Sequence, residues 1–186
     1  KAVEPFTQKE VQALLKACKE TTGARKRQRL TAARDQAIVS ILLDTGLRRG
    51  ELVRLKLEDL SKSQNAKLYI IQIRPFNSGR KSRPRHVYLG VAASKYLWRY
   101  LSEREFFYED DWVFLSRENK QLTGPALYHM LKRLGTRAEV TNVNPHRFRH
   151  TFAIQYLRNG GDVFTLQRLL GHSTMDMVKR YLAISK

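Results

Sequence analysis

The sequence predicts an α+β domain, mainly α-helical, with one small antiparallel β-sheet. Most of the chain places apolar residues at three- and four-residue spacing behind Thr, Asn or Asp starts, the pattern of capped amphipathic helices. Only one pair of neighbouring runs, Lys67–Ile73 and Arg85–Leu89, is rich in β-branched residues and Tyr. Internal repeats, low-complexity segments and an internal boundary are all lacking, so residues 1–186 read as a single domain.

After an entering linker at 1–6, Thr7-Gln-Lys-Glu10 is a capping box, in which hydroxyl and carboxylate satisfy each other's backbone amides. The helix it opens buries Val11, Leu14, Leu15 and Cys18 and ends before Gly23. A basic run, Arg25 to Arg29, follows as a solvated loop or a phosphate contact. Thr31 is the expected cap of a second helix that runs to Asp44 over Ala37, Ile38, Ile41 and Leu42. Thr45-Gly46 closes it, and Leu47–Val53 restarts a short helix that buries Leu52 while Arg48 and Arg49 emerge at the turn.

The two β-rich runs flank RPFNSGRKSRP, which makes them a hairpin with a long basic tip suited to probing a groove or a phosphate. Residues 91–104 form a helix with Tyr96, Leu97, Tyr100 and Leu101 inward. FFYEDDWVFLS reads as an acidic turn and a short apolar strand. Thr123 caps helix 124–138, with Leu127, Met130, Leu131 and Leu134 at core spacing. Asn144-Pro145 starts the next helix, Asn as cap and Pro at its first position, and Asn159-Gly160-Gly161 ends it. Asp162 caps VFTLQRLL, Gly171-His172 breaks it, and Ser173–Asp176 is a second capping pattern opening a last helix with Val178 and Tyr181.

Charge narrows the function. There are 35 Lys and Arg against 17 Asp and Glu, a net charge of +18. Such self-repulsion disfavours a compact state, and a polyanionic partner explains it; nucleic acid comes before an anionic membrane or ribosomal RNA. A single cysteine, Cys18, excludes an internal disulfide and a thiol-rich metal site, which fits the reducing cytoplasm. No apolar run approaches bilayer length and no signal peptide is present.

Residues 144–181 hold three of the five histidines, two arginines in helical register and a tyrosine nine residues beyond a Gly-His. His146 and Arg149 share a helix face near the positive end of the dipole, and His150 lies one turn from His146. A tyrosine, with a reference pKa of about 10, needs a base or stabilisation of its phenolate to attack. A phosphodiester under attack gains charge on its non-bridging oxygens, which paired guanidinium donors meet. A neutral His can take a proton, and a Lys or His can give one to the leaving sugar oxygen. Taken singly, each of these residues has a structural reading as a cap, a turn or a helix aromatic. Their order and spacing in so basic a chain favour phosphoryl transfer on DNA.

TGLRRGEL (45–52), HRFRHTFA (146–153), LGHS (170–173) and Tyr181 together resemble the tyrosine recombinases, or phage-type integrases, and PFTQKEVQALL resembles the start of their catalytic domain. The resemblance implies that family's catalytic-domain fold and the following roles. Arg48 and Arg149 clamp the scissile phosphate, Glu51 buttresses Arg48, and His146 is the acid/base partner of the tyrosine. His172 hydrogen-bonds a non-bridging oxygen, and Tyr181 attacks to leave a 3′-phosphotyrosyl link and a free 5′-hydroxyl. Religation then needs neither ATP nor metal, and no cofactor is implied.

The family also uses a hairpin lysine as general acid. Here the loop is longer than usual and offers Arg74, Arg80 and Lys81. Register puts Arg80 at the lysine position, and Lys81 beside it is chosen because an ammonium gives up a proton and a guanidinium does not. Arg49, Arg74, Arg80, Arg83 and Arg147 are the candidate DNA contacts. The resemblance further implies double-stranded DNA as partner and a tetramer on two duplexes, this chain alone being a monomer. It also implies an amino-terminal core-binding domain not represented here and a carboxyl-terminal tail cut short five residues after Tyr181. Relaxation of supercoils by a type IB topoisomerase mechanism, non-catalytic DNA binding and metal-dependent nuclease action are the competing classes.

Overall fold

The first helix is fixed by its cap. The computed structural model of the protein describes residues 4–19, 26–64, 68–75, 83–105, 111–172 and 174–185. In it the Thr7 amide donates to the Glu10 carboxylate at 2.7 Å, and the Glu10 amide donates to the Thr7 hydroxyl at 3.2 Å. This box opens α1 (Gln8–Lys19), which buries Leu14, Ala17 and Cys18. Burial pushes the Cys18 thiol up to about 12, so it is an inert core residue.

Helix α2 (Lys26–Thr45) departs from the expectation. Thr31 lies inside it rather than capping it, because Lys, Arg, Gln and Leu are strong helix formers and nothing in the preceding run breaks a helix. From Ala32 to Leu42 every residue is buried, since α1, α4, α6 and β3 all pack on α2. An all-round buried helix shows no amphipathic stripe. Its interior charge is paired: Arg34 meets Asp35 at 2.8 Å and donates to the Leu115 carbonyl at 2.8 Å.

After α3 (Arg49–Val53) and a 3₁₀ turn at Leu57–Asp59 come three strands, β1 (Leu60–Lys62), β2 (Tyr69–Ile73) and β3 (Arg85–Tyr88). They form one antiparallel sheet in that order, with Leu60 opposite Ile71, Ile71 opposite Val87 and Ile73 opposite Arg85. The two expected strands pair, their basic tip at 76–82 lying outside the described residues, whereas β1 is an addition: of its three residues only Leu60 is even half-buried, so no alternation marks it. The run after the acidic turn is not a sheet strand. Trp112 bridges only Lys56 and Leu115 only Gln121, and Val113, Phe114 and Leu115 are buried in succession rather than alternately.

Helices α4 (Val91–Glu105) and α5 (Gly124–Ala138) follow. Thr123 caps α5 by accepting from Ala126 at 3.2 Å, and Leu127, Met130, Leu131 and Leu134 are buried as expected. Asn144 caps α6 (Pro145–Arg158), and Asp162 caps α7 (Val163–Leu170) by accepting from the Phe164 and Thr165 amides. The last helix, α8 (Asp176–Ser185), begins at the end of the expected capping pattern, whose Ser173 lies outside the described residues.

Two apolar clusters result. The larger one unites α1 to α5 and the sheet around Phe148. The smaller one consists of Ala153, Ile154, Leu166, Leu170, Val178 and Tyr181, so α6, α7 and α8 form a subsidiary core that carries the tyrosine.

Candidate active site

The carboxyl end of α7 gathers the site. A helix end leaves carbonyls without intrahelical partners and carries partial negative charge. Here three successive carbonyls each accept from a different guanidinium. Leu169 accepts from Arg85 Nε at 2.6 Å, Leu170 from Arg149 Nη2 at 2.7 Å, and Gly171 from Arg48 Nη2 at 3.4 Å. Gly171 ends the helix in the left-handed region (φ +64°), where a Cβ would sit 2.8 Å from the Arg85 guanidinium.

A second turn closes on the first. Gly46, also left-handed at φ +59°, presents its carbonyl to Arg149 Nη1 at 2.7 Å. Just beyond it Glu51, 5% exposed, accepts the Arg48 amide at 2.9 Å and Arg48 Nη1 at 3.1 Å. Arg85 closes on the same carboxylate as a fork, at 3.0 and 2.9 Å. Two guanidiniums therefore share one carboxylate with Arg149 nearby, a preorganised excess of positive charge. Burial, then the neighbouring Arg48, pulls Arg149 down to about 10, which leaves it cationic at neutral pH.

Tyr181 sits against this cluster, 6% exposed. Its ring meets His150 edge-on at 5.1 Å and lies near-parallel to His172 at 6.5 Å. Burial raises the phenol pKa, while Arg149 and Arg48 pull it down. Burial, then Arg149, Arg48 and Arg85, hold His172 down at about 4, a neutral imidazole. Burial also lowers His150. His172 Nδ1 and His150 Nε2 are buried without a hydrogen-bond partner among the described residues.

Arg48, His146, Arg149, His172 and Tyr181 line one cleft of about 960 Å³, together with Arg49, Tyr128, His150 and Met177. His146 is exposed on the first turn of α6, and Arg49 is exposed at the start of α3. Lys81 and Arg80 lie outside the described residues. Arg83 is exposed just before β3. Arg74 lies outside the cleft lining and is paired with Glu58 and Asp59 at 3.2 and 2.6 Å.

Arg147 requires a correction. It is buried rather than offered to DNA, and donates to the Glu4 carbonyl at 2.9 Å, the Thr141 carbonyl at 2.7 Å and the Glu10 carboxylate at 2.8 Å. Its guanidinium also covers the Phe6 ring at 4.0 Å. It fastens the amino-terminal segment to α6.

Two residues of the site, His150 and Arg85, have no role legible in the sequence alone. His150 was placed one turn from His146, and that spacing was a usable signal for a cleft position. Arg85 opened a strand, and nothing local pointed to its partner Glu51, 34 residues away.

In this helical domain a tyrosine is set beside two histidines and a carbonyl-anchored arginine cluster. The sequence model of the phage integrase family matches residues 4–186, and the chain belongs to that family. It is 37% identical over 158 residues to the tyrosine recombinase XerC of Leptospira interrogans, covering 82% of this chain and 47% of that protein. It is 35% identical over 159 residues to the tyrosine recombinase XerD of Listeria innocua, covering 82% and 51%. The crystal structure of XerA recombinase superposes with a TM-score of 0.78 at 31% identity, over 96% of this chain and 57% of that one. The catalytic domain of bacteriophage HP1 integrase shares the fold, with a TM-score of 0.68 at 22% identity over 98% and 88%. The chain thus spans about half the length of the XerC and XerD relatives it matches. Among the described residues, no helix is long and apolar enough to cross a membrane.

Proposed function

We propose that this domain performs site-specific DNA recombination or integration by cleaving and rejoining strands through a 3′-phosphotyrosyl intermediate. The observation that carries the reading is the meeting of Tyr181 with Arg48 and Arg149 in one cleft of a +18 chain. On this reading Arg48 and Arg149 hold the non-bridging oxygens of the scissile phosphate, where charge develops during attack. His172 adds a hydrogen bond as a neutral donor, its charging disfavoured by the adjacent guanidiniums.

The Tyr181 oxygen attacks phosphorus while the bond to the 5′-oxygen breaks. The phenol proton passes to His146, and Lys81, which lies between β2 and β3 in sequence, protonates the leaving oxygen. One phosphoester replaces another, so a 5′-hydroxyl can reverse the step without an external energy source. Arg49, Arg80 and Arg83 are proposed backbone contacts. An amino-terminal domain in a longer protein would complete the grip on double-stranded DNA. Exchange would proceed in a homotetramer on two duplexes, and this chain alone would be a monomer.

A nicked suicide duplex, which loses its 5′-terminal fragment after cleavage, tests the mechanism. The wild-type chain should accumulate a covalent adduct in the presence of EDTA, and Tyr181→Phe should form none. No adduct with wild type, or one with Tyr181→Phe, refutes the reading.

A further inference from the structure

We infer that Arg85 is a positioning residue of this site, one that locks Glu51 to the end of α7 so that Arg48 and His172 face the same phosphate. The inference rests on the strand-transfer reading above. Arg85 is not itself placed to hold the phosphate. Its side chain is 7% exposed, its Nε is taken by the Leu169 carbonyl and its two terminal nitrogens by the two oxygens of Glu51.

Its effect on Arg48 follows from the carboxylate geometry. Glu51 Oε1 receives both Arg48 Nη1 and Arg85 Nη1, and Oε2 receives the Arg48 amide and Arg85 Nη2. With the fork of Arg85 in place, the Arg48 guanidinium reaches the carboxylate through Nη1 alone and keeps its other end toward Gly171 and the cleft. Without it, Glu51 becomes free to take Arg48 as a two-pronged partner, drawing that guanidinium inward and neutralising it. A charge spent on Glu51 is a charge withdrawn from the phosphate.

Arg85 also couples elements far apart in sequence. It is the first residue of β3, four positions after Lys81, and its Leu169 contact lies three positions before His172. The start of β3 and the end of α7, which leads into His172, are therefore tied through one side chain. Gly171 permits the approach, because a Cβ would fall 2.8 Å from Arg85 Nη1.

The test uses the 186-residue chain with Arg85→Gln and Arg85→Lys, measured by single-turnover adduct formation on saturating nicked duplex. Arg85→Gln should slow adduct formation about 100-fold, comparable to losing one preorganised donor. Its affinity for the duplex should stay within about threefold, because binding sums many phosphate contacts. Arg85→Lys keeps the charge without the planar fork, and should fold, bind normally and cleave roughly tenfold more slowly. A role in folding alone would leave the rate per folded molecule unchanged, and proton NMR supplies a second readout. The His172 titration midpoint should rise in Arg85→Gln and stay put in Arg85→Lys.

Wild-type rates in both variants, beside a normal wild-type adduct, overturn the inference. So does a fall in affinity matching the fall in rate with a salt slope reduced by about one, which would make Arg85 a phosphate contact. If Arg85→Gln does not fold, Arg85→Lys decides: slower cleavage at unchanged affinity supports the inference, and a wild-type rate refutes it. If the wild-type chain itself forms no adduct, the strand-transfer reading has failed before any variant is compared.

Discussion

On the strand-transfer reading, replacing Arg149 with lysine separates the chemistry of the proposed clamp from its charge. One terminal nitrogen of Arg149 donates to the Gly46 carbonyl and the other to the Leu170 carbonyl, both at 2.7 Å, and the residue is 6% exposed. A guanidinium has N–H groups left over for a phosphate after making those bonds. Lysine concentrates its three N–H donors on one nitrogen and cannot span both turns while also reaching the cleft. Losing a preorganised donor at the developing oxyanion costs about 2.7–4 kcal/mol, or about 10²–10³ in rate. Arg149 can offer more than one donor, so the expectation is a loss of about 10³ in cleavage. Affinity for the duplex should change no more than about threefold, because many phosphate contacts share the binding. Leaving one buried carbonyl unpaired costs about 1–3 kcal/mol, which in a chain of this size lowers Tm by roughly 3–10 °C. Adduct formation is therefore timed well below the melting midpoint found by circular dichroism, on saturating nicked duplex. A cleavage defect that vanishes on correction for the folded fraction, or that affinity loss matches, defeats the reasoning.

Arg147→Ala should act on stability instead. Breaking the bonds to Glu4, Thr141 and Glu10 costs about 2–3 kcal/mol, and the cleavage rate per folded molecule should be unchanged; reduced cleavage with unchanged Tm would return Arg147 to the DNA interface. His172 titrates at about 4 when folded against 6.5 ordinarily, so the folded state binds fewer protons between these values. Its contribution to stability is complete above pH 6.5 and is lost as pH falls toward 4, so Tm should fall less steeply over this window in His172→Gln than in wild type. Equal slopes would show that His172 is not buried as a neutral group. Lys81→Ala should slow cleavage about 10²–10⁴-fold on an ordinary phosphodiester. The defect should largely disappear when the 5′-bridging oxygen is sulfur, because a thiolate leaves without a proton, and an equal defect on both substrates would move the general acid elsewhere.

Apart from Tyr181, which lies inside α8 and is marked by its distance from His172, the parts of the site legible in the sequence sit near helix ends. Arg48 follows a glycine turn, His146 and Arg149 follow an Asn-Pro cap, and His172 follows the glycine that stops α7. Caps and breakers are local chemistry, so order and spacing suffice to find them. Arg85 is different. Its role depends on Glu51 in α3 and Leu169 in α7, and a lone arginine opening a strand gives no local sign of either. Strand β1 and the all-round burial of α2 were hidden for the same reason, since neighbours distant in sequence create them. Arg147 was within reach: Thr151 and Ile154 follow it at helical spacing, and both are buried, so it shares the inward face of α6 and not the cleft face of His146.

The electrostatic design of the cluster leaves its arginines available to an anion. Guanidiniums held only by carboxylates would be neutralised, and guanidiniums held by nothing would repel one another in so dry a site. Here carbonyls do most of the holding: Leu169, Leu170, Gly171 and Gly46 accept from three arginines, and Glu51 is the single carboxylate among them. A helix end contributes only about half a negative charge, so orientation is fixed while most of the positive charge survives. The same surplus depresses His172 and draws the Tyr181 phenol down against its burial. Both effects follow from one surplus of positive charge, which on the strand-transfer reading meets the scissile phosphate and the developing phenolate.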